Sequence, residues 1–178
     1  MDKVASFIFF MPVIGLFILI ALGFLARQKQ ERYSSLVVSS SLSISLLLYT
    51  WHILISLLKG NFSSIDIGNF ESFNIGAEHF GIELGIDLLS LPFVGLALLL
   101  GLAISIFSVQ YLFREKGYYR FYLLLQTLVV GCLVTFSARN LESLFAGWEL
   151  LGLSSVLLVA YFFVRPEVVK NSCYTFLN

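Results

Sequence analysis

The sequence predicts an all-α membrane protein of five transmembrane helices, with an acidic loop between the second and third. Composition, the uncharged runs and the placement of lysine and arginine each point there. Of 178 residues, 58% are hydrophobic and 12% charged, against about 45–50% and 25% in soluble domains. Mean hydropathy is +0.91. Lys+Arg 11 against Asp+Glu 11 gives a formal net charge of +0, so no global field draws nucleic acid or an acidic substrate. Cys132 and Cys173, with His52 and His79, supply neither a disulfide framework nor a metal-ligand cluster. No dinucleotide fingerprint, phosphate loop or nucleophile elbow occurs.

A helix crosses about 30 Å of hydrocarbon in roughly 20 apolar residues at 1.5 Å rise each. Ser6 to Ala26, Leu36 to Leu58, Leu88 to Leu112 and Phe121 to Ala138 are uncharged runs near that length. The first is too long for the apolar region of a secretory signal and runs straight into Arg27, so a retained helix is expected. The uncharged part of the fifth run, Leu150 to Val164, covers only about 22 Å, so this span begins before Glu149 and places that carboxyl at membrane depth. Predicted spans are 6–26, 36–58, 88–112, 120–138 and 141–164. Three regions follow: residues 1–58 with two helices, the loop 59–87, and residues 88–178 with helices three to five.

Lysine and arginine in short loops set direction. Arg27, Lys29, Arg32, Arg114, Lys116, Arg120, Arg165 and Lys170 fall on one side, against Lys3, Lys59 and Arg139 on the other. The N-terminus is therefore expected outside and the C-terminus inside. The segment Arg114 to Arg120 mixes basic and aromatic residues as a nucleic-acid patch does, but topology alone requires cations there.

The outside loop carries Asp66, Glu71, Glu78, Glu83 and Asp87, punctuated by glycines. Ile65 and Ile67, then Phe73 and Ile75, alternate with polar residues as strands do, with Gly68-Asn69 as turn material, so a small β-hairpin fits. Asp87 ahead of Leu88 and Pro92 fits a helix cap. Helices in lipid associate through close backbone approach. Ala97, Gly101 and Ser105 on the third helix and Ser39, Ser41, Ser43 and Ser45 on the second mark packing faces, with an ion-path lining as the alternative. His52 beside Trp51 is expected in the interfacial belt, with proton relay as its alternative.

An intramembrane acid costs roughly 2.5–3.5 kcal/mol on insertion scales, which makes Glu149 the candidate for chemistry. Burial raises a carboxyl pKa and a nearby cation lowers it, so a group held between the two changes protonation when the cation moves. Glu142 lies one heptad earlier on the same face, where Arg139 can pair with it. The uncharged runs contain no Lys or Arg, and Arg139 lies about 15 Å away along the axis. A fixed cation for Glu149 therefore comes from another chain, or the acid stays protonated against a serine or carbonyl. Gly147 and Gly152 flank it and favour a buried, protein-facing carboxyl.

The segment Asn140-Leu141-Glu142-Ser143-Leu144-Phe145-Ala146-Gly147-Trp148-Glu149-Leu150-Leu151-Gly152-Leu153-Ser154-Ser155 resembles the NLxxLFxGWExxGLxS motif of subunit 5 of proton-pumping NADH:quinone oxidoreductase, respiratory complex I. Ile86-Asp87-Leu88-Leu89-Ser90 is similar to that family's FDxLS, Ser108-Val109-Gln110-Tyr111-Leu112 to its YSxxYM, and Arg120-Phe121-Tyr122-Leu123-Leu124-Leu125 to its RFxxYL, in the same order. The motifs cover about 85–178, and the first two helices fit by hydropathy only. Subunits of multisubunit cation/proton antiporters share much of the pattern. Ser105 stands where the family usually has histidine and Phe107 where it has tyrosine.

The resemblance implies a subunit of an H+-translocating NADH:ubiquinone oxidoreductase, with Glu149 as proton relay coupled to a lysine two helices further on. Lys170 is not that lysine. It further implies that Glu142 and Arg139 tune the local field, that flavin and iron–sulfur centres sit on partner subunits and none on this chain, and that no redox or hydrolytic site is present. Expected partners are the membrane-arm subunits, the bilayer, and a chain carrying the rest of a split subunit 5, with nucleic acid excluded. Phe, Leu, Ser and Ile usage points to the mitochondrial inner membrane, with a bacterial plasma membrane as alternative. Competing functions are a sodium/proton antiporter fragment without redox coupling and a structural remnant of the arm.

Overall fold

A computed structural model describes residues 2–25, 30–59, 65–75, 78–112 and 117–162. Five helices follow in order: α1 (Asp2–Leu25), α2 (Gln30–Lys59), α3 (Ser90–Tyr111), α4 (Tyr118–Ser137) and α5 (Leu141–Val159), the last ending in a 3-10 turn, Ala160–Phe162. Each is long and apolar enough to cross a membrane. The second helix starts earlier than the hydropathy run, since Gln30, Glu31 and Arg32 at its head are strong helix formers.

Between α2 and α3 an antiparallel hairpin forms from β1 (Ile65–Ile75) and β2 (Glu78–Ile86). The expected turn at Gly68-Asn69 is corrected. Gly68, at φ 154°, sits within β1 where the register slips between Asp66 and Gly68. A strand glycine here absorbs a bulge rather than reversing the chain. The reversal lies between Ile75 and Glu78.

Helices α2 and α4 are central: α1 packs on both, α3 on both, and α5 chiefly on α4. Ile8, Leu19, Val38, Leu42, Val94, Leu98, Val129 and Leu133 form the shared apolar core. Hairpin strands pack against α1, α4 and α5. Ser6 of α1 donates to the Ile67 carbonyl at 3.2 Å, while a β-bridge joins Leu84 to Ala138 at the α4–α5 corner. At the far end of the bundle Tyr119 of α4 donates to the Leu19 carbonyl of α1 at 2.7 Å. Successive helices therefore run up and down, as the alternating loops predict.

Close backbone approach drives two of these contacts. A Cβ on Gly131 of α4 would stand 2.9 Å from the Leu151 amide nitrogen, and one on Gly147 of α5 would stand 2.6 Å from that of Thr135. Helices α4 and α5 touch backbone to backbone at those two points, as small residues permit in lipid. The expected packing faces are present: Gly101 admits Val129 of α4, and the Ser39 and Ser105 hydroxyls share a 2.8 Å hydrogen bond.

Helix α3 starts as Asp87 suggests. The Asp87 carboxylate accepts from the Ser90 amide at 2.7 Å and the Ser90 hydroxyl accepts from the Asp87 amide at 2.9 Å. This reciprocal capping satisfies two otherwise orphaned donors. The Ser90 backbone N–H holds the exposed Asp87 carboxyl below the usual carboxylate range, assisted by the Ser90 hydroxyl.

His52 departs from expectation. It is buried, whereas neighbouring Trp51 is 59% exposed, so the aromatic ring faces outward and the imidazole turns into the bundle.

Candidate functional site

The site is built on α5, whose start is fixed from outside the membrane. Asn140 caps it, its side-chain oxygen accepting from the Ser143 amide at 2.9 Å. The same side chain donates to the Gly81 carbonyl at 2.6 Å and to Glu142 at 2.9 Å. Ser143 accepts from the Glu83 amide at 2.8 Å, and the Arg139 amide donates to the Glu83 carbonyl at 3.1 Å. Strand β2 is thereby laced to the first turn of α5.

Arg139 does not pair with Glu142. Its guanidinium forms an ion pair with Asp66 of β1, passing over Gly85, the register partner of Asp66 on β2. A Cβ at position 85 would collide with the guanidinium, so glycine is what opens this route. Glu142 instead accepts from Asn140 and from the Gly81 amide, the latter at 3.4 Å. Arg139 is turned away because the β-bridge at Ala138 aligns its backbone with β2 and sends its side chain across the hairpin.

Glu149 lies in mid-helix, eight residues or about 12 Å from the start of α5. The residues that face α4 are Ser143, Gly147 and Ser154, all buried. Glu149 lies on the opposite side and is exposed within this chain. The expected burial is thus not met by these five helices. Of its two flanking glycines, Gly147 is filled by Thr135, but a Cβ on Gly152 would meet nothing within 4 Å. Trp148 and Leu153 beside it are 64% and 54% exposed. At the hairpin end of this face, Leu141, Glu142, Leu144, Phe145 and Trp148 line an open apolar groove of ≈ 430 Å³. Glu142 and Glu149 share the open face, as heptad spacing requires.

The described residues offer Glu149 no cation on this face. Arg120 lies within α4's first turn, inside the predicted fourth span, but its guanidinium donates to the Ala160 and Tyr161 carbonyls at 3.3 and 3.1 Å. It closes the far end of α5, eleven residues or about 16 Å beyond Glu149. Among the described residues no three His, Cys, Asp or Glu side chains gather as a metal-ligand set. Lys170, Cys173 and the cations of the 113–116 segment lie outside the described residues.

Several residues had no place in the reading of the sequence. Asn140 was signalled by its position ahead of an apolar run with Ser143 three residues on. Asp66 carried no such signal, since its partner is remote in sequence. Gln126 of α4 is wholly buried and donates to the Pro12 carbonyl at 2.7 Å and the Ser41 hydroxyl at 3.2 Å.

Residues 73–122 match the family described as NADH-Ubiquinone oxidoreductase (complex I), chain 5 N-terminus. The chain is 31% identical over 147 residues to NAD(P)H-quinone oxidoreductase subunit 5, chloroplastic, of Aethionema grandiflorum, covering 83% of this chain and 19% of that one. Against the same subunit of Zygnema circumcarinatum it is 28% identical over 170 residues, covering 94% and 24%. Against NADH-quinone oxidoreductase subunit L of Neisseria meningitidis it is 26% identical over 127 residues, covering 71% and 19%. The Zygnema match takes in the first helices, which the motifs alone left to hydropathy. The chain thus spans at most about a quarter of these relatives' lengths. In fold it is similar to a chain of the membrane-bound sulfane sulfur reductase, an archaeal respiratory membrane complex, with TM-score 0.75 and 16% identity over 98% of this chain and 34% of that one. Family model and relatives agree with the motifs: this chain is similar to the N-terminal region of complex I subunit 5.

Proposed function

We propose that this chain is a membrane-arm segment of a proton-pumping NADH:quinone oxidoreductase, in which Glu149 takes up and releases protons against a cation on a helix that covers the open face of α5. One observation carries the reading: a carboxyl midway along a membrane-spanning helix points away from its own bundle, next to a glycine with open space before it. Left facing lipid, that acid costs roughly 2.5–3.5 kcal/mol. A protein helix seated on Gly152 removes the acid from lipid and can bring the charge that tunes it. Glu142, on the same face, is fixed by Asn140 and Gly81, while Arg139 acts through Asp66, so the local field comes from three groups rather than a simple pair.

The covering cation belongs to a helix outside this sequence. Flavin and iron–sulfur centres belong to partner subunits, quinone is the electron acceptor, and the N-terminus faces outside in a mitochondrial inner membrane. The relatives' names, the motif around Glu149 and the fold similarity support this reading. Its test is Glu149→Gln in the assembled complex. Quinone reduction and assembly should persist while proton pumping falls roughly a hundredfold, the lower range for loss of a positioned proton-transfer group. Unchanged pumping with intact assembly overturns the relay. Isolation without flavin and iron–sulfur subunits favours an antiporter instead, and fractionation to a plastid or bacterial membrane overturns the location.

A further inference from the structure

Helix α2 packs through hydroxyls, as small polar residues allow between helices in lipid. Ser34, Ser41, Ser45 and Ser56 are all buried, as is His52, and Gln126 of α4 meets this stripe at mid-depth. The Pro12 carbonyl can only accept, so the atom of Gln126 facing α1 has to be the amide nitrogen. That assignment fixes Oε1 on the other side of the amide. Oε1 is buried, can only accept, and has no partner among the described residues. Ser45 Oγ is likewise buried and unmatched, one turn beyond Ser41 on the same face of α2. A Cβ on Gly15 would stand 2.7 Å from Ser41 Oγ and 3.1 Å from Gln126 Nε2, so three helices converge tightly here.

We propose that the α1–α2–α4 junction binds water, with Gln126 Oε1 and Ser45 Oγ as its protein ligands. The chemistry selects water: the carbonyl needs a donor, the hydroxyl accepts or donates, and buried polar atoms left unmatched in a packed interior are rare. A cation does not fit, since two neutral oxygens fall short of the roughly six that hard cations take and no charge here offsets its burial. Bound water extends the Pro12–Gln126–Ser41 knot outward to Ser45 and joins α1, α2 and α4 in one network. Towards the far end, Tyr122, one turn before Gln126, donates to the Ser105 carbonyl at 2.9 Å, and Ser105 pairs with Ser39. The site therefore extends a polar column that lies on a different side of α4 from Gly131 and Thr135, which face α5. It is independent of Glu149.

Radiolytic hydroxyl labelling of the protein in its native membrane, after brief mixing into oxygen-18 water, tests this by mass spectrometry. Bound water generates radicals in place, so buried Pro12 and Leu42 should be oxidised, and by slowly exchanging oxygen. Ser45→Ala removes a hydroxyl with no partner among the described residues and should lower that oxidation about fivefold, the worth of one neutral hydrogen bond. Gln126→Leu should abolish it, and if that variant fails to fold, Ser45→Ala alone decides. Protection of Pro12 and Leu42 in the unaltered protein while the exposed hairpin is labelled overturns the site. Equal labelling in Ser45→Ala overturns Ser45 as a ligand.

Discussion

Arg139, at the α4–α5 corner, crosses Gly85 to reach Asp66 on the other strand of the hairpin. The two side chains are 35% and 71% exposed, so the pair is a surface one and its coupling should be about 0.2–1 kcal/mol. A double-mutant cycle with Asp66→Asn and Arg139→Gln should return that value. The cycle of Arg139→Gln with Glu142→Gln should return none. Gly85→Ala should do more harm than Asp66→Asn, because it closes the path of the guanidinium as well as breaking the pair.

Gly147 and Gly152 separate two kinds of contact on one helix. Gly147→Ala drives a methyl into the Thr135 backbone, which cannot yield as a flexible side chain can, and should cost about 1–3 kcal/mol. Gly152→Ala meets nothing among the described residues, so the thermal stability of the chain in detergent should rise slightly through helix propensity. In the assembled membrane complex the same change should impair subunit association, read by native gel migration, because a covering helix would meet the new methyl.

Asp87 gives the hairpin end of α3 a pH dependence. Its folded carboxyl is held low by the Ser90 amide, so its contribution is complete above the ordinary carboxylate range and is lost as pH falls through the depressed folded value. The exchange protection of the Ser90 amide, taken relative to its intrinsic rate at each pH, should therefore fall in acid. Asp87→Asn, which caps without titrating, should flatten that profile.

Tyr49 supports the start of α3 from α2, donating to the Leu91 carbonyl at 2.6 Å with its ring against Gly95. Tyr49→Phe keeps the ring and should cost about 1 kcal/mol in a reversible unfolding assay. Gly95→Ala should cost more, since its Cβ would stand 2.7 Å from the ring.

The fold was legible where physics is local. Twenty-odd uncharged residues announce a span whatever surrounds them, and the starts of α3 and α5 fall within two residues of the expected 88 and 141, where Asp87 and Asn140 cap them. Alternation at Ile65 and Ile67 signalled strand, but Gly68 was equally good evidence for a turn and for a bulge, and only the pairing register separates the two. Glu149's depth was legible from the length of its span. Its direction was not, because α5 has two faces and only the contact of Gly147 with Thr135 decides which one is taken. Arg139 chose Asp66 over nearby Glu142 for a reason no spacing contains: a bridge at Ala138 that orients the backbone first.

The hairpin also imposes an order on synthesis. Both strands leave the ribosome before Ala138, Asn140 and Ser143, the residues that hold β2 in place. Translation proceeds from the N-terminus, so a nascent chain arrested before the fifth helix carries an extramembrane flap without these ties, held by α1, α4 and its own strand pairing. Protease should nick that flap in short arrested chains and spare it once the fifth helix has inserted.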